Sequence, residues 1–326
     1  MKRRAFMAYA LCGVMYGPRS LRAQQPRKLP RIGFLWDSPA AFQDAMQAFK
    51  TALRELGWIE GKNVVIEYRW TGGHFERLQP LAAELAALKV DVIVAPSSIY
   101  TDAAKRATAA IPIVFFSHAD PVGSGHVANL ARPEGNITGF SLMMTETNVK
   151  LLELLKDMIP GVSHVAVIWD PATPSHGPGL KAVESASRTL GLKASAFPVR
   201  SRAELDDCFM AIARERVGGV LVLSTPQFIA EGAHMAKLAL KYKLPTLFGP
   251  RSHVQSGGLL SYGPDRADLW RRGAGYVDKI LRGAKPEDLP VQQPTKFELA
   301  LNRGTLKALG LKVPPDFMLR VDTFVE

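Results

Sequence analysis

The chain repeats one pattern of strands and turns in its two halves. Residues 32–39 are IGFLWDSP and residues 165–172 are VAVIWDPA, two apolar runs that each end in Trp-Asp before a turn. A second pair follows in the same order, with DVIVAPSS at 91–98 and GVLVLSTP at 219–226. Helical patterns separate these segments, which indicates that each half of the chain forms its own α/β lobe.

A third pair completes the repeat, with IPIVFFSHADP at 111–121 and LPTLFGPR at 244–251. Apolar runs of this kind are typical of parallel strands that are buried on both faces. Loops at the carboxyl ends of parallel strands commonly bind ligands. Two such lobes therefore predict a cleft that holds a small molecule.

The alternation of strands and helices predicts the boundaries of the two lobes. The first lobe is predicted to contain residues 30–141 plus 263–288, and the second residues 142–258 plus 292–326. The chain would then cross three times between the lobes, the third time through a proline-rich segment at 286–294. Three crossings favour a hinge that closes around a ligand.

The composition favours a globular protein and gives no support to nucleic-acid binding. Of the 326 residues, 47% are hydrophobic and 22% are charged, which fits a folded domain. The net charge is +11, but five basic residues lie in residues 1–23, which contain no acidic residue. The remaining charge is spread along the chain without a basic run, so we expect no nucleic-acid partner.

Residues 1–23 have the pattern of an export signal. A basic start is followed by a short apolar stretch and by a small-residue cleavage site at Leu21-Arg22-Ala23. Arg3-Arg4 resembles a twin-arginine signal. We therefore expect a periplasmic protein with no transmembrane segment. After cleavage only Cys208 would remain, which excludes an intramolecular disulfide.

The turn after the third strand of each lobe is a candidate anion site. Ser97 and Ser98 lie where a strand ends and an amphipathic helix begins, and Ser224-Thr225 repeat this chemistry in the second lobe. A helix N-terminus offers unpaired N–H groups and a favourable dipole to a carboxylate. The alternative is that one serine only caps its helix.

Aromatic and acidic residues at strand ends are further candidates. The aromatic residues could stack on a planar ligand or fill the top of their own sheet; they are Trp36, Tyr100, Trp169, Phe228 and Tyr262. We favour ligand contact for Trp36 and Tyr262. The acidic residues could balance an ammonium group or cap their own loops; they are Asp37, Asp120, Asp170 and Asp265.

The sequence carries no complete enzyme signature. Residues 123–128, GSGHVA, match a dinucleotide-binding pattern but lack its strand context and its acidic partner. No nucleophile elbow and no histidine or cysteine metal motif is present. We expect no cofactor and no metal. An α/β enzyme such as a racemase or hydrolase stays open as an alternative, but it would need a nucleophile and a base.

Several segments together resemble a family of solute-binding proteins of ATP-driven uptake systems, in the subfamily that binds tryptophan, tyrosine or phenylalanine. The segments are IGFLWDSP, ELGWIEGKNVVIEYRWTGG, IPIVFFSHADPV, ARPEGNITGFS, GGLLSYG and LPVQQPTKFELALN, and the resemblance covers about residues 30–326. It implies a type I periplasmic-binding-protein fold: two Rossmann-like lobes with parallel sheets, joined by three hinge crossings. It also implies a permease and an ATPase as partners, and no chemistry on the ligand.

The resemblance assigns the family's cleft loops to the same strand ends. Together with the candidates above, the predicted ligand-binding set is Trp36, Asp37, Ser38, Ser97, Ser98, Tyr100, Asp120, Ser141, Asp170, Thr173, Thr225, Phe228 and Tyr262. We expect an exported, monomeric, non-enzymatic receptor that closes on a small carboxylated ligand, an aromatic or other amino acid. A ligand-sensing regulator is a second alternative, but only about 30 residues precede Ile32, too few for a DNA-binding headpiece.

Overall fold

The structure is a computed structural model that describes residues 29–38 and 43–326. The predicted export signal at 1–23, with Arg3-Arg4, lies outside the described residues. Within the described ranges, every helix is too short or too polar to traverse a lipid bilayer.

The first sheet has five parallel strands in the order β2-β1-β3-β4-β5. Its strands and their helices are β1 (Arg31–Trp36), α1 (Gln43–Glu55), β2 (Val65–Trp70), α2 (Leu78–Ala87), β3 (Val92–Val94), α3 (Ser98–Ala107), β4 (Ile113–His118) and β5 (Ile137–Ser141). A 3₁₀ turn, Phe75–Arg77, precedes α2.

The second sheet has seven strands in the order β12-β11-β10-β9-β8-β6-β7. The elements after β5 are α4 (Met144–Met158), β6 (His164–Trp169), α5 (His176–Thr189), β7 (Lys193–Pro198), α6 (Leu205–Arg214), β8 (Gly219–Val222), α7 (Pro226–Ala230), α8 (Gly232–Lys241), β9 (Thr246–Phe248), α9 (Arg251–Gln255), β10 (Leu260–Pro264), α10 (Arg266–Leu281), β11 (Phe297–Asn302), α11 (Arg303–Leu309), α12 (Pro315–Met318) and β12 (Thr323–Val325). Strands β10 and β11 pair antiparallel. The two sheets define the two lobes.

The two lobes share one strand order. The order β7-β6-β8-β9-β10 in the second sheet repeats β2-β1-β3-β4-β5 in the first. The three repeated sequence pairs form β1 and β6, β3 and β8, and β4 and β9. The predicted α/β fold with two parallel sheets is therefore confirmed. Strand β10 belongs to the second sheet, although the predicted lobe boundaries left residues 259–262 unassigned.

A short break separates helices α7 and α8. Helix α7 ends at Ala230 and α8 begins at Gly232. Glu231 between them has φ −90° and ψ 10°, outside helical geometry. The break turns the chain after the short α7, which Thr225 caps by accepting the N–H of Phe228 at 3.0 Å.

The chain passes between the lobes at three points. It crosses after β5, again at Asp265 between β10 and α10, and again between residues 290 and 296. At the third point Gln292 pairs with β5: its N–H donates to the Gly139 carbonyl at 2.9 Å, and its carbonyl accepts the N–H of Ser141 at 2.9 Å. The first and third crossings therefore lie side by side.

Helix α10 returns to the first lobe and packs on its sheet. Trp270 is fully buried, with its ring 6.0 Å from that of Phe34 and 5.6 Å from that of Phe116. Trp58 Nε1 donates to Asp278 at 2.8 Å at the far end of the helix. These contacts attach the segment after the second crossing to the first lobe.

Two glycines of α10 test this packing. A Cβ on Gly273 would lie 2.4 Å from the Phe116 ring, whereas a Cβ on Gly275 meets nothing within 4 Å. We expect Gly273→Ala to lower the free energy of unfolding by about 1–3 kcal/mol, because overpacked cores must shift. Gly275→Ala is the matched control and should raise it by up to about 1 kcal/mol, because alanine favours helix. Urea unfolding of both variants measures this. Equal effects of the two substitutions would contradict the packing of α10.

The buried His253 makes stability depend on pH. Its ring stacks on Phe248 at 4.2 Å, and burial lowers its pKa to about 4. In the unfolded chain this residue binds a proton near pH 6.5, whereas in the folded protein it binds one only near pH 4. The contribution of His253 to the free energy of unfolding is therefore fully present above pH 6.5. It falls by about 1.4 kcal/mol per pH unit as the pH drops below this value.

We expect His253→Gln to remove this part of the pH dependence. The free energy of unfolding, measured in urea and plotted against pH, should give curves for the variant and the wild type that run parallel above pH 7 and converge between pH 6 and pH 4.5. Curves that stay parallel over the whole range would show that His253 does not titrate on unfolding.

Candidate functional site

The carboxyl ends of the strands of both lobes enclose a chamber. We call it the inner chamber; it has about 420 Å³ of empty space, part of which is open to solvent. The first lobe contributes Trp36, Ser97 and Ser98 to its wall. The second lobe contributes Thr173, Ser175 and Ser224. The repeated strand order explains this arrangement, because equivalent loops of both lobes meet at the same edge.

Three hydroxyl groups in the inner chamber lack a protein partner. The buried Oγ atoms of Ser97, Ser175 and Ser224 form no hydrogen bond within the described part of the chain. Buried polar atoms in folded proteins nearly always have a partner. Hydroxyls from opposite lobes that face one chamber are therefore suited to a polar ligand.

The N-terminus of α3 adds an anion-binding element. Ser97 is its N-cap, with φ −128° and ψ 173°, but the side chain makes no capping hydrogen bond. The first N–H groups of a helix have no partner inside the helix and carry the positive end of its dipole. The Ser97 hydroxyl and these N–H groups can therefore bind a carboxylate together.

Arg266 supplies a positive charge at the same place. It is the first residue of α10, and it lines both the inner chamber and the larger opening that leads to it. Part of the residue is accessible, but its guanidinium is surrounded by protein, and this desolvation lowers its pKa to about 10. It remains cationic at neutral pH.

The opening beyond the inner chamber, which we call the outer cleft, contains about 1640 Å³ of space that includes solvent. Trp36, Pro226 and Ile229 line both spaces together with Arg266, so the passage between them has apolar walls and one cationic side chain. The predicted residues Asp37 and Ser38 lie on the wall of the outer cleft. A ligand that enters through this passage would move along the Trp36 side chain.

A side chamber, with about 240 Å³ of space that includes solvent, extends the inner chamber towards α4. It shares Ser175 and Ser224 with the inner chamber and adds Asp120 and Asn148. The Asn148 carbonyl oxygen is buried without a partner among the described residues. A carboxylate and an unpaired amide oxygen are suited to a hydrogen-bond donor such as an ammonium group.

His176 holds the second lobe's part of the side chamber in place. Its Nδ1 accepts the N–H of Asp170 at 2.9 Å, and its Nε2 lies 3.3 Å from the Ser224 carbonyl. Burial lowers the pKa of His176 to about 4. The neutral imidazole therefore ties the loop after β6 to the loop after β8 at neutral pH.

The carboxylates of Asp37, Asp120 and Asp170 all accept hydrogen bonds from the protein, Asp37 from the loop after β2 and the other two from their own loops. Asp37 accepts from the Thr71 hydroxyl at 2.7 Å, and Asp170 accepts from the Thr173 hydroxyl at 2.9 Å. Asp120 accepts from the Gly123 N–H at 2.8 Å. Of these three residues, only Asp120 lines the side chamber that Asn148, Ser175 and Ser224 also line.

The predicted aromatic residues separate into two groups. Trp36 lines the inner chamber, although only 1% of it is exposed. Tyr100 is fully buried against Trp36, with ring centroids 5.1 Å apart, and Phe228 is buried in the core of the second lobe. Tyr262 stacks on Phe297 at 5.5 Å and does not line the chambers described above.

The remaining predicted residues are close to the cleft but have different roles. Thr225 lines the inner chamber, yet its hydroxyl caps α7. Ser141 lies at the first crossing, where its Oγ accepts the N–H of Met143 at 3.0 Å. Trp169 packs in the core of the second lobe. Asp265 caps α10 through the N–H of Ala267 at 2.9 Å.

Sequence reasoning missed three side chains of the site and one pairing. Arg266 follows the capping Asp265, and Ser175 follows the Asp170 loop, so proximity to a strand end was a usable signal for both. Asn148 lies inside α4, where no signal marked it. Ser98 is paired with His118, its Oγ lying 3.3 Å from Nδ1; the sequence had offered no hydroxyl–base pair. The described ranges contain no group of three or more histidine, cysteine, aspartate or glutamate residues that could hold a metal ion.

Comparisons with known proteins agree with this architecture. The model of a family described as ABC transporter substrate binding protein matches residues 37–324. The chain is 26% identical over 271 residues to the tyrosine-binding protein of Clostridioides difficile strain R20291, an alignment that covers 82% of this chain and 77% of that protein.

Two solved structures share the fold over 91% of this chain and 100% of their own. A conserved domain protein from Vibrio cholerae O1 biovar El Tor strain N16961 has a TM-score of 0.85 at 25% identity. The ABC domain from Streptococcus pneumoniae in complex with L-Trp has a TM-score of 0.84 at 21% identity. The predicted type I periplasmic-binding-protein fold is confirmed, and the chain belongs to the family of ABC transporter substrate-binding proteins.

Proposed function

We propose that this protein is the receptor of an ABC uptake system for a small carboxylated solute, an aromatic or other amino acid. The observation that carries the proposal is the inner chamber, where both lobes present buried hydroxyls without partners beside a cationic guanidinium. The tyrosine-binding relative and the L-Trp complex support an aromatic amino acid as the first ligand to test.

The proposed pose assigns each end of the ligand to a chamber. The carboxylate binds at the Ser97 hydroxyl and the N-terminus of α3, with Arg266 as the counter-charge. The ammonium group points to the side chamber, where Asp120 and Asn148 supply acceptor oxygens. The aromatic ring lies along Trp36. Contacts from both lobes to one ligand would favour the closed arrangement, because only that arrangement satisfies all of them.

The proposal includes export and delivery to a transporter. The basic, apolar start of the chain supports export to the periplasm, and Arg3-Arg4 resembles a twin-arginine signal. The predicted lobes, 30–141 plus 263–288 and 142–258 plus 292–326, would present their surfaces to a permease once a ligand holds them together. An ATPase would drive the transport step, and the receptor itself would act as a monomer.

Titration calorimetry tests the ligand class. We expect at least one of L-tryptophan, L-tyrosine and L-phenylalanine to bind the purified protein with a stoichiometry of one. Glycine and the amide of the same amino acid serve as controls that lack the ring or the carboxylate. Absence of binding by all three amino acids, in a protein that unfolds cooperatively, would contradict the proposed ligand class.

The unpaired Ser97 hydroxyl gives a sharp test of the carboxylate site. Ser97→Ala should weaken ligand binding about tenfold or more, because a hydrogen bond to a charged group contributes about 1.5–3 kcal/mol. Stability should hardly change, since this Oγ has no partner in the described part of the protein.

Ser187→Ala is the matched control for Ser97→Ala. Ser187 also has a buried Oγ without a partner in the described ranges, but it lies on α5 and does not line the inner chamber, the side chamber or the outer cleft. It should bind ligand like the wild type. Equal losses of affinity in the two variants would contradict the position of the carboxylate.

A transport receptor releases its ligand unchanged, whereas the enzyme alternative would convert it. We expect mass spectrometry and chiral chromatography to recover the added amino acid intact, with unchanged handedness, after prolonged incubation with the protein. Turnover that Ser98→Ala abolishes would favour an enzyme built on the Ser98–His118 pair instead.

A further inference from the structure

A line of polar groups connects the inner chamber with the surface of the first lobe. Ser98 Oγ lies 3.3 Å from His118 Nδ1, and His118 Nε2 lies 2.7 Å from His126 Nδ1. The line ends at Asp102, whose carboxylate is 3.5 Å from His126 Nε2. Ser98 and Asp102 lie one turn apart on α3, so the line leaves and returns to the same helix.

Both imidazoles in this line are neutral at physiological pH. His118 is fully buried and His126 is 5% exposed. Burial lowers the pKa of His118 well below its usual value, and burial also lowers that of His126. Each ring then carries one N–H, and the 2.7 Å contact between two nitrogens requires one proton between them.

Two directions of donation satisfy that requirement, and Asp102 selects one of them. An ionised carboxylate only accepts, so His126 donates its Nε2–H to Asp102 and accepts at Nδ1. His118 then donates its Nε2–H to His126, and its Nδ1 accepts from the Ser98 hydroxyl. The other oxygen of the Asp102 carboxylate forms an exposed ion pair with Arg106 at 2.8 Å.

We propose that Asp102, through His126 and His118, fixes the Ser98 hydroxyl as a hydrogen-bond acceptor towards the ligand. The Ser98 hydroxyl donates its proton in the hydrogen bond to His118 Nδ1. One lone pair of Oγ accepts the N–H of Ala119 at 3.3 Å, and the other remains for the chamber. Ser97, by contrast, has a hydroxyl proton that it can donate, because its Oγ has no partner in the described ranges.

The two adjacent serines therefore differ in the ligand group that they recognise. Ser97 can donate to a carboxylate, whereas Ser98 requires a donor such as the ammonium or hydroxyl group next to that carboxylate. On the proposed function, this makes Ser98 select amino acids over carboxylic acids that lack the α-substituent. His118, His126 and Asp102 are positioning residues, since they act on the ligand through Ser98.

Nitrogen-15 NMR of the histidine rings in the ligand-free protein tests the direction of donation. We expect His118 and His126 both to carry their proton on Nε2 at pH 7. His118→Gln and His126→Gln assign the two sets of signals. A proton on Nδ1 of either ring would overturn the proposal, whatever the protein binds.

Affinity ratios test the effect on specificity. The probe pair is the amino acid that binds the wild type and its deaminated analogue, for example L-phenylalanine and 3-phenylpropionate. The amide of Asp102→Asn can donate or accept a hydrogen bond, so it no longer fixes the direction of donation along the line. We expect this variant to reduce the preference for the amino acid about tenfold, while Arg106→Gln, which keeps the carboxylate, leaves the preference within about twofold.

An unchanged ratio in Asp102→Asn would overturn the specificity role of the line. Absence of binding by either probe in the wild type would instead count against the proposed function, while the NMR result would still decide the direction of donation. A loss of affinity that is equal for both probes in Asp102→Asn would mean that Asp102 supports only the packing of α3, which also overturns the proposal.

Discussion

The structure depends on one constraint: parallel strands direct all their carboxyl ends to the same edge of a sheet. Two sheets with the same strand order present two such edges, and the three crossings hold them opposite each other. At those edges the buried hydroxyls of Ser97, Ser175 and Ser224 have no hydrogen-bond partner in the described part of the chain. The cleft is therefore polar at its base, even though the sheets beneath it are apolar.

Desolvation strengthens the hydrogen bonds and ion pairs that these polar groups can form with a ligand. In the inner chamber, the hydroxyl of Ser97 and the guanidinium of Arg266 are shielded from bulk water. Hydrogen bonds and ion pairs are stronger there than at an exposed surface. The same shielding keeps the nearby histidines neutral, so that their hydrogen bonds have a direction. One physical cause would thus underlie both the proposed binding of a carboxylate and the proposed orientation of Ser98.

The sequence predicted the fold well, because the fold depends on local patterns. Periodicity and repeated strand ends were sufficient for the sheets, and the strand-to-helix turn led to Ser97, which lines the inner chamber and whose contact with a ligand stays a prediction. Asn148 and the pairing of Ser98 with His118 depend on contacts between elements that are distant in the chain, which no local pattern encodes. Tyr262 was favoured because it ends a strand, but on β10 it faces Phe297 of the antiparallel neighbour β11. Whether it also contacts ligand stays a prediction.

The central claim is that both lobes hold one unmodified ligand between them. A crystal structure of the protein grown with a bound aromatic amino acid tests it most directly. The account predicts density for the intact ligand in the inner chamber, with its carboxylate at Ser97 and contacts to Ser175 or Ser224 of the opposite lobe. Density confined to one lobe, or at a site away from the cleft, would contradict it.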